Sequence, residues 1–288
     1  MNKPWQIYCT AVLGALGGLL GWWVIGSFSL VHLSIWIAFP IVGAGLGLFI
    51  GGCVAATDGA LIKRVPRRAI RDGFFGAVAG LVAGLVGLLL AEIIFLTMGA
   101  GFVGRILGWM LLGGFIGLSD MVVSRQRRRA LFGAFGGLIG GALGGLLYEG
   151  LTQLFLAQSG LTQVVVGGVG LMLLGACIGA LIPLARQVLS RGELRVLNGD
   201  QIGLVREVID HTSIGRYDGC DIYLPDPAVS WRHANIRRTS QGFTMEIAEQ
   251  SEQGVMVGNQ QVNPGDVYVL RSGERIYLGE TALEFVGR

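Results

Sequence analysis

Few residues in this 288-residue chain are placed to do covalent chemistry. The three histidines, His32, His211 and His233, are far apart and lie in different segments. No metalloprotease-type His pair, phosphate-binding glycine loop, metal-spaced His/Cys set or nucleophile–base spacing is present. The reading is therefore of a protein that is not an enzyme, with no catalytic residue, no metal and no cofactor. The chain does carry recognition chemistry. A phosphate monoester is held by a planar cationic donor together with short hydroxyl or backbone donors. Arg216, at a strand-to-turn junction after Gly215, supplies a guanidinium, and Ser230 in the next loop supplies a hydroxyl.

Short alternating apolar runs must position those two side chains. From about residue 192 such runs are bounded by Gly, Asp, Asn and Pro, which is the pattern of an all-β sandwich. Strands are expected at 194–197, 203–208, 213–215, 221–224, 234–238, 243–248, 255–257, 266–270, 275–278 and 282–286.

Within this region Ile214-Gly215-Arg216 is followed by Val229-Ser230-Trp231-Arg232-His233-Ala234. Then come Gly254 through Val262, Pro264-Gly265-Asp266 and Ile276-Tyr277-Leu278-Gly279. In that order these motifs resemble the forkhead-associated (FHA) domain over roughly residues 195–286. The resemblance implies a β-sandwich that binds phosphothreonine peptides with the loops at one end, and it brings no catalytic residue. It matches Arg216 and Ser230 to the family's phosphate-contacting arginine and serine. It matches His233 to a histidine that ties loops together from within, with Gly215, Gly254 and Asn259 as further framework positions. Trp231, Arg232, Glu252 and Gln253 join Arg216 and Ser230 as expected phosphopeptide-binding residues.

The last loop departs from the family pattern. Ser251-Glu252-Gln253-Gly254-Val255 stands where Ser-x-Asn-Gly-Thr is common. Gln253 can still hydrogen-bond a peptide backbone. Glu252 falls where many members face the phosphate, and a carboxylate there would repel it. Trp231 replaces a position that is usually polar or basic. A docking domain that does not require phosphate is thus the rival reading of the same fold.

The remainder of the chain is of a different kind. Overall 52% of residues are hydrophobic and 14% charged, and 49 are glycine, well above the usual share of about 7%. Six runs near 5–26, 33–57, 74–98, 104–123, 131–156 and 163–185 approach the roughly 20 apolar residues needed to cross a bilayer. No cleavable signal peptide is evident. Residues 1–192 carry a net +8 and residues 193–288 a net −5. The basic excess crowds the second connection (Lys63, Arg64, Arg67, Arg68, Arg71), the fourth (Arg125, Arg127, Arg128, Arg129) and the stretch after the sixth run (Arg186, Arg191, Arg195). By the positive-inside bias, both termini are cytoplasmic and the basic clusters are loops. Charge so distributed is a topology signal and not a nucleic-acid patch. Cys9, Cys53, Cys177 and Cys220 form no CxxC pair, and reduced thiols are expected.

The apolar part also repeats. Phe75-Gly76-Ala77 recurs as Phe132-Gly133-Ala134, and Met110-Leu111-Leu112-Gly113 as Met172-Leu173-Leu174-Gly175. Phe49-Ile50-Gly51 and Gly14-Ala15-Leu16-Gly17-Gly18 extend the pattern to three helical hairpins of one orientation. Glycines every four residues, as in Gly133, Gly137, Gly141 and Gly145, make flat stripes for tight packing or self-association, with channel lining as the minor alternative. Glu92, Glu149 and Arg105 stand near the non-cytoplasmic ends of their runs, as a structural ion pair or a transport site. Asp58 and Asp120 are expected to be solvated.

The expected architecture is an all-α membrane domain of six transmembrane helices over 1–190, followed by an all-β cytoplasmic FHA-like domain over 191–288. The expected function is that of a bacterial inner-membrane signalling adaptor, multi-pass, whose partner is a phosphothreonine protein or a Ser/Thr kinase. The lipid bilayer is a further partner, nucleic acid is not, and the glycine stripes offer a route to a homo-oligomer. An FHA-regulated transporter or channel, and a phospho-independent scaffold, are the alternatives.

Overall fold

The computed structural model describes residues 3–28, 32–57, 59–60, 65–98, 101–124, 126–155, 161–199, 201–240, 242–251 and 253–287. Two compact units form: Gln6–Arg186, and Gln187–Arg288 together with Met1–Trp5. The first contains α1 (Lys3–Gly26), α2 (Ile35–Thr57), α3 (Pro66–Met98), α4 (Phe102–Leu118), the short α5 (Asp120–Ser124), α6 (Arg127–Leu154) and α7 (Leu161–Leu189). Six of these segments are long and apolar enough to cross a membrane, with α4 and α5 counting as one.

Two details differ from expectation. α3 begins at Pro66 and α6 at Arg127, so Arg67, Arg68 and Arg71, and likewise Arg127 to Arg129, are helical and not loop residues. Proline suits a first helical turn, and Arg68 Nε pairs with Asp72 Oδ2 at 3.1 Å one turn later, so the helix continues past the end of the apolar run. Asp120 is not a freely solvated carboxylate. Its Oδ2 lies 3.1 Å from Arg186 Nη2 and 3.4 Å from Arg129 Nε. Asp58, Lys63, Arg64 and Arg125 lie outside the described residues.

Glycine decides the helix contacts. A Cβ on Gly47 of α2 would overlap the carbonyl oxygen of Gly80 on α3, and one on Gly80 would overlap that of Gly47. The same reciprocal exclusion joins Gly113 of α4 to Gly137 of α6, and Gly175 of α7 to Gly14 of α1. α6 carries two such faces. Gly133, Gly137 and Gly141 meet α4, whereas Gly136, Gly140 and Gly144 meet α7. Gly17 lies against Ile50 and Gly87 against Leu112, which joins α1 to α2 and α3 to α4. The contacts run α1–α2–α3–α4–α6–α7 and back to α1. Between them Leu46, Leu112 and Leu174, and one turn on Ile50, Ile116 and Ile178, belong to a single apolar core and are at most 3% exposed. Large apolar residues such as Trp23, Val82, Leu131, Phe135 and Val165 face outward.

The second unit is a β-sandwich. One sheet has the order β2 (Val205–Val208), β1 (Gly192–Val196), β11 (Thr281–Gly287), β10 (Arg275–Leu278), β7 (Val255–Val257), β8 (Gln260–Val262). The other has the order β4 (Ile222–Tyr223), β3 (His211–Gly215), β5 (Ala234–Thr239), β6 (Gly242–Ile247), β9 (Val267–Leu270). Phe243 of one sheet meets Phe285 of the other with ring centroids 5.1 Å apart, and Leu194, Ile214, Ile236, Met245, Ile276 and Leu283 are fully buried. All ten expected strands form, with ends moved by up to two residues, and β8 is an addition.

Replacing Gly137 with Leu forces a branched side chain into the Gly113 backbone. Overpacking costs about 1–3 kcal/mol in well-packed cores, and here the obstacle is main chain, which cannot yield. The expected outcome is a lower melting temperature of the full chain in detergent. Gly150→Leu, in the same helix but with no atom within 4 Å of its added Cβ, should leave it unchanged.

Candidate functional site

Strand register gathers three loops at one end of the sandwich. Ile214 pairs with Ala234, and Ala234 pairs with Ile247, so the end of β3, the start of β5 and the end of β6 lie side by side. The loops leaving these points carry Arg216, then Ser230 to His233, then Ser251 to Gln253. Arg216 N–H donates to Ser230 O at 3.1 Å and Tyr217 N–H to Trp231 O at 2.9 Å, which zips the first loop to the second. Gly215 is required for this closeness. A Cβ there would lie 2.5 Å from Trp231 O and 3.0 Å from the Arg232 Cα. Gly254 has the same role against Val262 O, at 2.6 Å. Neither has a left-handed backbone, so the demand is for space and not for conformational freedom.

His233 holds the loops from inside. Its side chain is fully buried, its N–H donates to Ile214 O at 2.9 Å, and its carbonyl accepts from Ala248 N–H at 2.9 Å. Nδ1 accepts the Ser230 N–H at 3.1 Å, which assigns the ring proton to Nε2 in the neutral form. Nε2 faces the Gln253 carbonyl without closing a hydrogen bond in standard geometry. Burial holds this imidazole below its ordinary range, and the Gln253 carbonyl pulls partly the other way.

The hydroxyls form a short chain. Ser251 Oγ donates to Gln253 O at 2.9 Å and lies 3.3 Å from Ser230 Oγ. Each hydroxyl has one hydrogen, so Ser230 Oγ donates to Ser251 and can turn outward toward a ligand. Arg216 is exposed and has no ion-pair partner among the described residues. Trp231, Arg232 and Gln253 are exposed beside it. Glu252 lies outside the described residues. Asn259 is exposed in the turn between β7 and β8, next to Gly258 at φ +58°, at the far end of that hairpin from Val255.

Three contributors escaped the sequence reading. Tyr217 stacks on Trp231 with centroids 5.0 Å apart and planes at 28°, and the Arg232 Cζ is 5.7 Å from the Tyr217 centroid. Asp221 Oδ2 accepts from Ser213 N–H at 3.0 Å and from Ser213 Oγ at 2.9 Å, fixing the foot of the first loop. Asp226 accepts from Ala228 N–H and Glu280 N–H at 2.8 and 2.9 Å, fixing the second. An aspartate two residues before a bonded N–H is a turn signal readable from sequence, whereas the partners distant in sequence are not.

In the helical unit the structure joins Arg105 to Glu149, Nη1 to Oε2 at 3.1 Å, with Trp109 Nε1 donating to Glu149 Oε1 at 3.2 Å. Glu92 is buried and stands outside that contact. Among the described residues no His, Cys, Asp and Glu group is arranged to hold a metal.

The sequence model of the FHA domain matches residues 212–279. No curated protein matches the chain. Among solved structures, the FhaA FHA domain complexed with the intracellular domain of Rv3910 is 27% identical, with 33% of this chain and 98% of that one covered and a TM-score of 0.29. An FHA domain from a study of phosphothreonine-dependent interactions is 26% identical over 34% and 98%, TM-score 0.31. The FHA domain of the CT664 protein from Chlamydia trachomatis is 24% identical over 34% and 99%, TM-score 0.31. The two-sheet sandwich, its loop-gathering register and the matched residues together make the C-terminal part of this chain an FHA domain.

Proposed function

We propose that the chain is a membrane-anchored adaptor whose FHA domain binds phosphothreonine-containing partners, a Ser/Thr kinase or its substrates, and has no enzymatic activity. The observation that carries this reading is the juxtaposition of the uncommitted Arg216 guanidinium with Ser230, whose loops are zipped together by two backbone hydrogen bonds. Arg216 contacts the phosphate as a charge-assisted donor, Ser230 turns its hydroxyl from Ser251 to the phosphate, and Gln253 bonds the peptide backbone. His233, Gly215 and Gly254 hold the loops and stay out of contact with ligand.

Anchoring rests on an inverted distribution of size. The helical unit packs glycine against glycine inside and turns Trp, Phe, Leu and Val outward, which suits a lipid surround and is costly in water. Six crossings with both termini cytoplasmic follow the basic residues at the starts of α3 and α6 and after α7. The reading as three hairpins, α1–α2, α3–α4 and α6–α7, is supported by a glycine of the first helix against an aliphatic residue of the second in each, as Gly17 with Ile50, Gly87 with Leu112 and Gly140 with Ile178. A transporter or channel fits less well, because the middle of the bundle is filled by aliphatic side chains and Glu149 is engaged by Arg105 and Trp109. The glycine stripes are occupied within one chain, so a homo-oligomer would have to use another surface.

For the full chain in detergent or nanodiscs, fluorescence anisotropy with a phosphothreonine peptide library should find ligands that are lost on dephosphorylation. A charge-assisted bond contributes about 1.5–3 kcal/mol, so Arg216→Ala should weaken binding roughly tenfold or more, and Ser230→Ala less. Glu252→Thr should tighten binding. A folded chain that binds no phosphopeptide in either form makes the domain a phospho-independent dock. A single cysteine at Ser159, in a background without the native four, should react with an impermeant reagent from outside intact cells. Reaction only after permeabilisation overturns the topology.

His233 supplies a pH dependence. Its folded value lies below the unfolded value of about 6.5, so the unfolded chain takes up the proton first. The stabilisation is complete above pH 6.5 and falls as pH drops below it, since a protonated Nδ1 cannot accept from Ser230 N–H. Phosphopeptide affinity measured between pH 7.5 and 5.5 should decline, and in His233→Gln the decline should be smaller.

A further inference from the structure

An aromatic pair lies directly beside the two expected phosphate donors. Trp231 is 60% exposed, the largest side chain so presented in the FHA domain. One face of its indole is covered by Tyr217, 5.0 Å away and nearly parallel. Its backbone is fixed by the bond from Tyr217 N–H to Trp231 O, and the Cys220 Sγ lies 3.8 Å from the same carbonyl. Ser230 immediately precedes Trp231 and Arg216 immediately precedes Tyr217, so the stack continues directly from the phosphate donors.

Resting on the phosphopeptide reading, we infer that the Tyr217–Trp231 stack is a second reading surface of this domain, which selects a neutral apolar residue, aromatic or proline, beside the phosphothreonine. A rigid, half-covered indole gains from contact with a flat or compact apolar group and has little entropy to lose in making it. The indole face would also attract a cation. Arg216 and Arg232 stand on either side of the stack in sequence, and Arg232 is held near the Tyr217 ring at 5.7 Å. With a guanidinium beside each ring, the surface favours a neutral neighbour over a lysine or arginine of the peptide. The surface therefore discriminates by attraction for an apolar neighbour and by repulsion of a basic one.

The test is an oriented library in which phosphothreonine is fixed and the flanking positions vary, screened on the full chain in nanodiscs. The wild type should enrich aromatic residues or proline at one flanking position and deplete Lys and Arg there. Trp231→Ala should flatten that enrichment and weaken the best peptide about fivefold while binding stays phosphate-dependent. Trp231→Phe should keep most of the preference. Arg216→Ala should remove phosphopeptide binding whatever the flanking residue. A wild type that binds phosphopeptides with a preference unchanged in Trp231→Ala overturns this inference and leaves the phosphopeptide reading standing. A wild type that binds no phosphopeptide overturns both.

Discussion

Close approach of one backbone to another is the constraint on which both units depend. In the helical unit a carbonyl oxygen of one helix sits where the neighbouring residue would carry its Cβ, at Gly14 and Gly175, Gly47 and Gly80, Gly113 and Gly137. The FHA domain uses the same device at its gathered loops, where Gly215 lets the Arg216 loop rest on the Trp231 carbonyl and Gly254 lies against the Val262 carbonyl. Between helices the gain is dispersion contact along two main chains. Between loops the gain is position. The loops can be hydrogen-bonded at 3.1 and 2.9 Å only because no side chain separates them.

That closeness has a different consequence in each place. Three glycine-tight interfaces alternate with three in which a glycine meets an aliphatic residue, such as Gly17 with Ile50, Gly87 with Leu112 and Gly140 with Ile178. The alternation brings the aliphatic side chains of α2, α4 and α7 inward, and they fill the space that a ring of larger helices would leave open. At the ligand end the tight contact turns the polar groups into a connected set. His233 accepts from Ser230, Ser230 meets Ser251, and Ser251 bonds the Gln253 carbonyl, which ties two loops together, and the bonds from Arg216 and Tyr217 N–H add the third. Donors fixed before a ligand arrives lose less freedom on binding.

Much of this was legible in the sequence, because the two periodicities are strong. Apolar runs gave the six long helices, and alternation gave ten strands. β8 was missed because Gln260 and Gln261 point outward and leave Val262 as its one buried residue, so no alternation is visible. The starts of α3 and α6 were placed too late for a related reason. Hydrophobicity marks where a helix is apolar and not where it ends, and Arg68 with Asp72 extends α3 on local pairing alone. At the site, Arg216, Ser230 and His233 lie on motifs with fixed spacing. Tyr217 lies on none, and its importance comes from Trp231, fourteen residues away, which only the fold brings beside it. Asp120 was read as solvated for the same reason, since Arg186 is far off in sequence and close in space.

The glycine stripes show how a local signal can be right about physics and silent about partner. Small residues every four positions demand that something approach closely, yet a second helix of the same chain and a helix of another copy satisfy that demand equally well. Only the fold answers, and it answers on both sides of α6, with Gly133, Gly137 and Gly141 given to α4 and Gly136, Gly140 and Gly144 to α7. A helix with both small faces occupied has its large residues left for the outside. Leu131, Phe135, Ile139 and Leu143 are those residues, and they are exposed. The outward apolar surface is thus the necessary complement of the inward glycines, since each helix has used its small faces on its neighbours.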